Sequence, residues 1–202
     1  MKIRDVDADA KRKIVHWFDY IRSQRYFLEE LGLLACLPDK LKAQIVLQVY
    51  RDTFRQVHIF KNCEPGLLLE IVLKLKLQVY CPRDYLCKQG DVGKEMYIVK
   101  SGLLKVIDNN GRILASLNGG SVFGEISVLE IPGSTSGNRR IANVVSVGYS
   151  ECLSLCKQDL LALLQDYPEK VSSQIDKITQ TLEKETGTLL RRCQRMEAGE
   201  VM

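Results

Sequence analysis

The segment Ser121–Asn143, SVFGEISVLEIPGSTSGNRRIAN, decides how the rest of the chain is interpreted. Gly124 lets a backbone approach a ligand closely, and the run EISVL after it is long enough for one helical turn, whose first N–H groups point at an anion. Ser127 adds a hydroxyl donor and Arg140 a planar guanidinium for phosphate oxygens. The carboxylate of Glu125 then needs a donor, which a sugar hydroxyl supplies. The segment predicts a ligand with one phosphate and one free hydroxyl on the same small ring.

This segment resembles the phosphate-binding cassette of cyclic nucleotide-binding domains, in its FGEISVL run and in the later GNRRIAN run. The length of the loop between the two runs and the sequence GNRR resemble those of the cyclic nucleotide-gated cation channels in particular. The flanks resemble the same family, in WFDY at Trp17–Tyr20, LPDKL at Leu37–Leu41 and GKEMYIV at Gly93–Val99. The resemblance covers nearly the whole chain.

The resemblance implies the cytoplasmic C-terminal region of such a channel, a module that binds cGMP, and cAMP more weakly. Closure of a C-terminal helix over the base would then act on the pore through a helical linker. The implied parent is a tetramer of like or unlike subunits in a plasma or sensory-cell membrane. Three alternatives stay open: a hyperpolarisation-activated channel, a kinase regulatory subunit, and a modulatory channel subunit that binds no nucleotide.

The resemblance assigns the nucleotide to the cassette and to one position of the C-terminal helix. Arg140, Ser127 and cassette N–H groups would bind the phosphate, and Glu125 the ribose hydroxyl. Glu185 matches the position of an acidic residue of the family when the positions are counted from the pair Tyr167-Pro168, and it would contact the guanine edge. Guanine presents adjacent N–H donors to a carboxylate whereas adenine presents an acceptor, so Glu185 favours cGMP. The predicted ligand-binding residues are Gly124, Glu125, Ile126, Ser127, Arg140, Ile141 and Glu185.

Two positions reduce this preference for cGMP. Ile141 stands where similar channels usually carry threonine, whose hydroxyl helps to hold phosphate and guanine; its loss costs about 1 kcal/mol. Leu114 stands where vertebrate sensory relatives often carry an aromatic residue near the purine. The choice between cGMP and cAMP therefore stays open at this point, while the phosphate contacts are unaffected.

The spacing of apolar residues predicts helices at both ends of the chain and short strands between them. The strands alternate with Gly, Asn and Asp turns, a pattern typical of a β-roll or jelly-roll-like sandwich. The predicted helices are Lys11–Arg22, Tyr26–Cys36, Lys40–Gln56, Glu64–Leu75, Asp159–Gln165 and one from Glu169 to beyond Leu190. The predicted strands are Gln78–Cys81, Tyr85–Cys87, Glu95–Lys100, Leu103–Ile107, Arg112–Leu117, Ile141–Val147 and Glu151–Leu155.

The predicted fold class is therefore α+β, an antiparallel β-roll flanked by helices. The resemblance implies that the helices before the roll form a helical linker and that the last helix is a C-terminal lid helix. The linker occupies residues 1–62 and is incomplete at its N-terminus. The binding domain occupies residues 63–193, with the roll at 77–156 and the C-terminal helices at 157–193, and residues 194–202 form a tail.

Composition excludes several other classes of function. The net charge of +4 over 202 residues is modest and mixed in sign, which does not favour nucleic-acid binding. The 7 cysteines are scattered without a CxxC pair and only 2 histidines accompany them, so neither a metal nor another cofactor is predicted. The sequence offers no nucleophile–base pair or P-loop, so we expect no enzyme. No apolar run reaches the ~18 residues of a membrane span, so the membrane part is expected to lie elsewhere in the parent protein.

Overall fold

A computed structural model describes residues 7–23, 36–57, 65–129 and 138–166. The chain divides into two compact units, residues 1–42 and 43–202, which are described separately. In the first unit, α1 (Ala8–Ser23) buries Ile21 and exposes Ile14, Val15 and Phe18. α2 (Asp39–Val49) begins in the first unit and continues into the second. Within the described ranges, none of the helices combines the length and apolar character that crossing a membrane requires.

The second unit continues with α3 (Arg51–Gln56), α4 (Pro65–Lys74), α5 (Glu125–Leu129) and α6 (Lys157–Asp166). The sequence predicts a single helix over Lys40–Gln56, but the structure interrupts it at Tyr50, whose ψ of 15° departs from the helical value. Phe54, after the break, is buried, and the ring of Tyr50 packs edge-to-face against it with centroids 6.2 Å apart. The predicted helix Tyr26–Cys36, apart from Cys36, and the predicted helix from Glu169 lie outside the described residues.

The described residues form eight strands in two antiparallel sheets, which confirms the predicted α+β class. The first sheet has the order β1, β8, β3, β6, with bounds Lys76–Tyr80, Ser150–Cys156, Glu95–Ser101 and Val122–Phe123. The second has the order β2, β7, β4, β5, with bounds Tyr85–Cys87, Asn143–Ser146, Leu104–Ile107 and Ile113–Leu117. Each predicted strand is present within a few residues of its predicted ends. The two-residue β6 is too short to give an alternating pattern, so the sequence did not indicate it.

The first sheet is buried on both faces. Because side chains alternate along a strand, Ile98 of β3 and its partner Leu153 of β8 share one face, which we call the helix-facing face. It packs against residues of α3, α4 and α6 in one apolar cluster that includes Phe54, Leu67, Ile71, Leu160 and Leu163. The opposite, roll-facing face carries Tyr97, Val99 and Cys152 and packs against the second sheet through Leu104, Val106, Leu114 and Val144.

Candidate functional site

The cassette begins where β6 runs into α5. Gly124, between them, has φ of 81°, a left-handed conformation that glycine adopts without a steric penalty. A Cβ at Gly124 would also overlap Nη1 of Arg140. The backbone angle and the close approach of the guanidinium therefore both require glycine. The structure places the predicted glycine against the predicted arginine.

Arg140 holds three separate chain segments together. It lies just before β7 with a relative exposure of 7%, and its Nη1 donates to the carbonyl of Gly124 at 3.1 Å. Nη2 donates to the carbonyl of Glu95, the first residue of β3, at 2.5 Å. A guanidinium has more N–H donors than these two bonds use, so it can also donate to an anionic ligand. Arg139, by contrast, is exposed and donates to the carbonyl of Gly90 at 2.7 Å.

Two further cassette side chains are buried beside Arg140. Ser127 has an exposure of 3%, and its hydroxyl lies 3.5 Å from the carbonyl oxygen of Arg139. Glu125 has an exposure of 6%. A buried carboxylate needs hydrogen-bond donors, and the hydroxyl of a ligand is a group that can donate to it.

Gly93 is a residue of the site that the sequence reasoning missed. It is buried, and its N–H donates to the carbonyl of Asn138 at 2.7 Å. A Cβ at Gly93 would overlap the side chain of Ser127 and lie 3.2 Å from Cζ of Arg140. The absence of a side chain at Gly93 therefore lets Ser127 and Arg140 converge. Its only sequence signal is its place at the start of the GKEMYIV motif.

The ring of Tyr97 lies next to Arg140, a neighbour that the sequence reasoning also missed. Cζ of Arg140 is 5.7 Å from the ring centroid. Burial, followed by the negative charge of Glu95, raises the pKa of Tyr97 to about 12. Tyr97 is therefore neutral at physiological pH. Burial likewise raises the pKa of the Cys87 thiol, although the charge of Arg140 opposes this shift.

The other predicted site residues have different positions. Ile141 is half-buried and Leu114 is buried, and both pack in the apolar cluster between the two sheets. Ile126 lies in α5, but its side chain is outside the described part of the structure, as is the whole of Glu185. The structure thus brings together Gly124, Glu125, Ser127 and Arg140. Among the described residues, no group of His, Cys, Asp and Glu side chains is arranged to hold a metal ion.

The fold and the cassette define a cyclic nucleotide-binding domain, and residues 77–167 match the family model described as "Cyclic nucleotide-binding domain". The chain is 53% identical over 186 residues to a cyclic nucleotide-gated cation channel of Drosophila melanogaster. It is 49% identical over 170 residues to "Cyclic nucleotide-gated channel" of Caenorhabditis elegans. It is 47% identical over 186 residues to "Cyclic nucleotide-gated channel alpha-3" of Homo sapiens.

Residues 77–167 therefore match the cyclic nucleotide-binding domain family, and the chain is similar to cyclic nucleotide-gated channels over most of its length, which confirms the resemblance found in the sequence. These alignments cover 92%, 84% and 92% of this chain. The chain in turn spans 28%, 23% and 27% of the lengths of the three relatives. The relatives are ion channels and not enzymes, in agreement with the prediction that the chain is not an enzyme.

Proposed function

We propose that this chain is the ligand-sensing and gating region, on the cytoplasmic face of a membrane, of a cyclic nucleotide-gated cation channel. The observation that carries the proposal is the convergence of Arg140, Ser127 and Glu125 at the start of α5. The guanidinium of Arg140, the hydroxyl of Ser127 and cassette N–H groups bind the cyclic phosphate. The carboxylate of Glu125 accepts a hydrogen bond from the ribose hydroxyl.

The proposed ligand is cGMP, with cAMP bound more weakly. Glu185 carries this preference, because a carboxylate accepts from the adjacent N–H donors of guanine and is opposed by the acceptor on adenine. Ile141 offers no hydroxyl to the ligand and Leu114 no aromatic ring, so both reduce the preference. The phosphate contacts are common to the two nucleotides.

Closure of the C-terminal helix is proposed to reach the pore through the helices of residues 1–62. Contacts of the described residues support this route, because Phe54 of α3 packs in the same apolar cluster as Ile98 of β3. Lys100 of β3 forms an ion pair with Glu151 at 2.7 Å, and its ammonium also lies 5.2 Å from the ring of Tyr50. A ligand drives such a change only as far as it binds the closed state more tightly.

The proposed parent is a tetramer of like or unlike channel subunits. Leu41, Ile45 and Val49 are exposed at four-residue spacing along α2, and α1 also exposes apolar side chains. Exposed apolar stripes of this kind favour a protein partner over solvent. A subunit number other than four, measured by light scattering on the purified parent channel, would contradict this part of the proposal.

Calorimetric titration with cGMP and with cAMP tests the site. We expect Arg140→Gln to weaken both nucleotides roughly 10- to 100-fold, because a charge-assisted hydrogen bond to the phosphate is lost. Glutamine is a better choice than glutamate, whose carboxylate would repel the carbonyl oxygens that Arg140 contacts. Arg139→Gln is the matched control and should bind as the wild type does. Equal affinity of wild type and Arg140→Gln would refute the site.

The same titration with Glu185→Ala tests the preference for cGMP, with Glu183→Ala as the matched control from the same predicted helix. We expect Glu185→Ala to remove the difference between the nucleotides and Glu183→Ala to retain it. If wild type binds cAMP as tightly as cGMP, the preference fails and the binding function stands. If wild type binds neither nucleotide, a modulatory subunit that binds no nucleotide replaces the proposal.

Hydrogen exchange tests the proposed coupling between ligand binding and the helices of residues 1–62. Exchange at residues 51–57 that does not respond to saturating cGMP would contradict this coupling.

A further inference from the structure

Arg140 rests on a pair of stacked aromatic rings. Its Cζ lies 5.7 Å from the centroid of Tyr97, and Tyr97 stacks on Phe123 with centroids 5.0 Å apart and planes 16° from parallel. Both rings are buried, with exposures of 7% and 8%. A cation within about 6 Å of a ring face is attracted to it, and more strongly where water is excluded. We call these two rings the aromatic shelf.

The aromatic shelf belongs to the same two segments that hold the edge of the guanidinium. Phe123 directly precedes Gly124, and Glu95 lies two residues before Tyr97; the carbonyls of Gly124 and Glu95 both accept hydrogen bonds from Arg140. The two carbonyls therefore orient the N–H groups of the Arg140 guanidinium. The ring of Tyr97 supports the guanidinium from one side.

The hydroxyl of Tyr97 lies near polar groups of the first sheet, and the side chains of Glu95 and Tyr80 both act on its pKa. The hydroxyl of Tyr80 donates to Oε1 of Gln78, and Nε2 of Gln78 donates to the hydroxyl of Ser154 at 3.0 Å. The ring of Tyr97 is held in its orientation by the stack on Phe123, which does not depend on the hydroxyl.

We infer that Tyr97 is a positioning residue for nucleotide binding, whose ring holds the Arg140 guanidinium where the ligand's phosphate meets it. The inference rests on the proposed function, because it concerns the same phosphate contact. It assigns Tyr97 no contact with the ligand. Since both nucleotides carry the same cyclic phosphate, a change at Tyr97 must affect cGMP and cAMP alike.

The test is calorimetric titration of Tyr97→Leu and Tyr97→Phe with cGMP and with cAMP. We expect Tyr97→Leu to weaken both nucleotides about tenfold, as for loss of a desolvated cation–π contact. Tyr97→Phe keeps the ring, so its affinity should stay within about twofold of wild type. The matched control is Val99→Ala, two residues along the same face of β3, which alters the core and keeps Tyr97. It should bind as wild type does.

A second series keeps the proposal testable if Tyr97→Leu does not fold. Phenylalanine analogues with one, two or three fluorine atoms at position 97 keep the size of the ring and withdraw charge from its face. Affinity should fall stepwise with fluorination for both nucleotides. Equal affinity across the series, or a loss confined to one nucleotide, would overturn the inference.

Two other results separate this inference from the proposed function. If wild type binds and a folded Tyr97→Leu binds equally well, the positioning role is refuted and the proposed function stands. A loss of affinity in Val99→Ala as large as that in Tyr97→Leu would refute the role as well, because it would indicate a general effect of core stability. If wild type binds neither nucleotide, the proposed function itself fails.

Discussion

The two faces of the first sheet differ in chemistry although the same strands form both. The part of the helix-facing face that packs in the apolar cluster presents hydrocarbon and thioether groups, from Met96, Ile98, Leu153 and Leu155. The roll-facing face mixes apolar residues with hydroxyl and phenol groups, from Tyr97, Val99, Cys152 and Ser154. Because neighbouring residues of β3 point to opposite faces, Ile98 contributes to packing alone, whereas Tyr97 also supports Arg140. Stability and binding should therefore be separable by substitutions one residue apart.

The largest expected effect is on the helix-facing face, in Ile98→Ala. Ile98 is fully buried, and truncation of such a side chain costs about 2–5 kcal/mol of unfolding free energy. Denaturant unfolding measures this loss, and titration under conditions where the variant is folded measures binding. We expect the affinity for cGMP to equal that of wild type. A folded Ile98→Ala with weakened binding would show that the two faces are not independent.

The strands and helices that form both faces could be predicted from the sequence, because they follow from apolar spacing and turn residues. The strand Glu95–Ser101 and the helix Pro65–Lys74 match their predictions to within a residue. The break at Tyr50 could not be predicted in this way, since neither proline nor glycine stands there and the apolar spacing continues as far as Phe54.

The site could be predicted in part for the same reason. Gly124, Glu125, Ser127 and Arg140 are recognised by residue type and spacing, and the structure brings them together. The contacts of Gly93 and Tyr97 with this group arise only when β3 is placed beside α5, about 30 residues later in the chain. In the sequence alone, Gly93 and Tyr97 resemble ordinary residues at the start of a strand. What escaped prediction is therefore the set of residues that support the cassette, and not the cassette residues themselves.

Gly93→Ala is expected to have the next largest effect, and its main effect should be on nucleotide affinity, whereas that of Ile98→Ala is on stability. The added methyl group would overlap Ser127 and displace Arg140, so both nucleotides should bind at least roughly tenfold more weakly, while unfolding costs about 1–3 kcal/mol less. Gly148→Ala is the matched control, because no atom lies within 4 Å of a Cβ there. Wild-type affinity in Gly93→Ala would mean that Ser127 and Arg140 relax without loss, contrary to the close packing of the site.

The smallest expected effect is a dependence of stability on alkaline pH that arises from the roll-facing face. The pKa of Tyr97 is raised, chiefly by burial, from 10.0 to about 12. Below pH 10 the phenol is protonated in both folded and unfolded states, so it adds no pH dependence. Between pH 10 and 12 the unfolded chain releases the proton while the folded protein keeps it. Stability therefore falls as pH rises, by at most about 1.4 kcal/mol per pH unit for one such group.

Unfolding free energies of wild type, Tyr97→Phe and Ile98→Val between pH 9 and 12 measure this contribution. Tyr97→Phe removes the titrating group and should show a shallower decline than wild type. Some decline should persist in it, because burial also raises the pKa of Tyr80, and that of Cys152 to about 12, on the same face. Ile98→Val is the control that removes no titrating group, so its unfolding free energy should decline with pH in parallel with that of wild type. If Tyr97→Phe declined as steeply as wild type, Tyr97 would titrate alike in both states and the two faces would not differ in this respect.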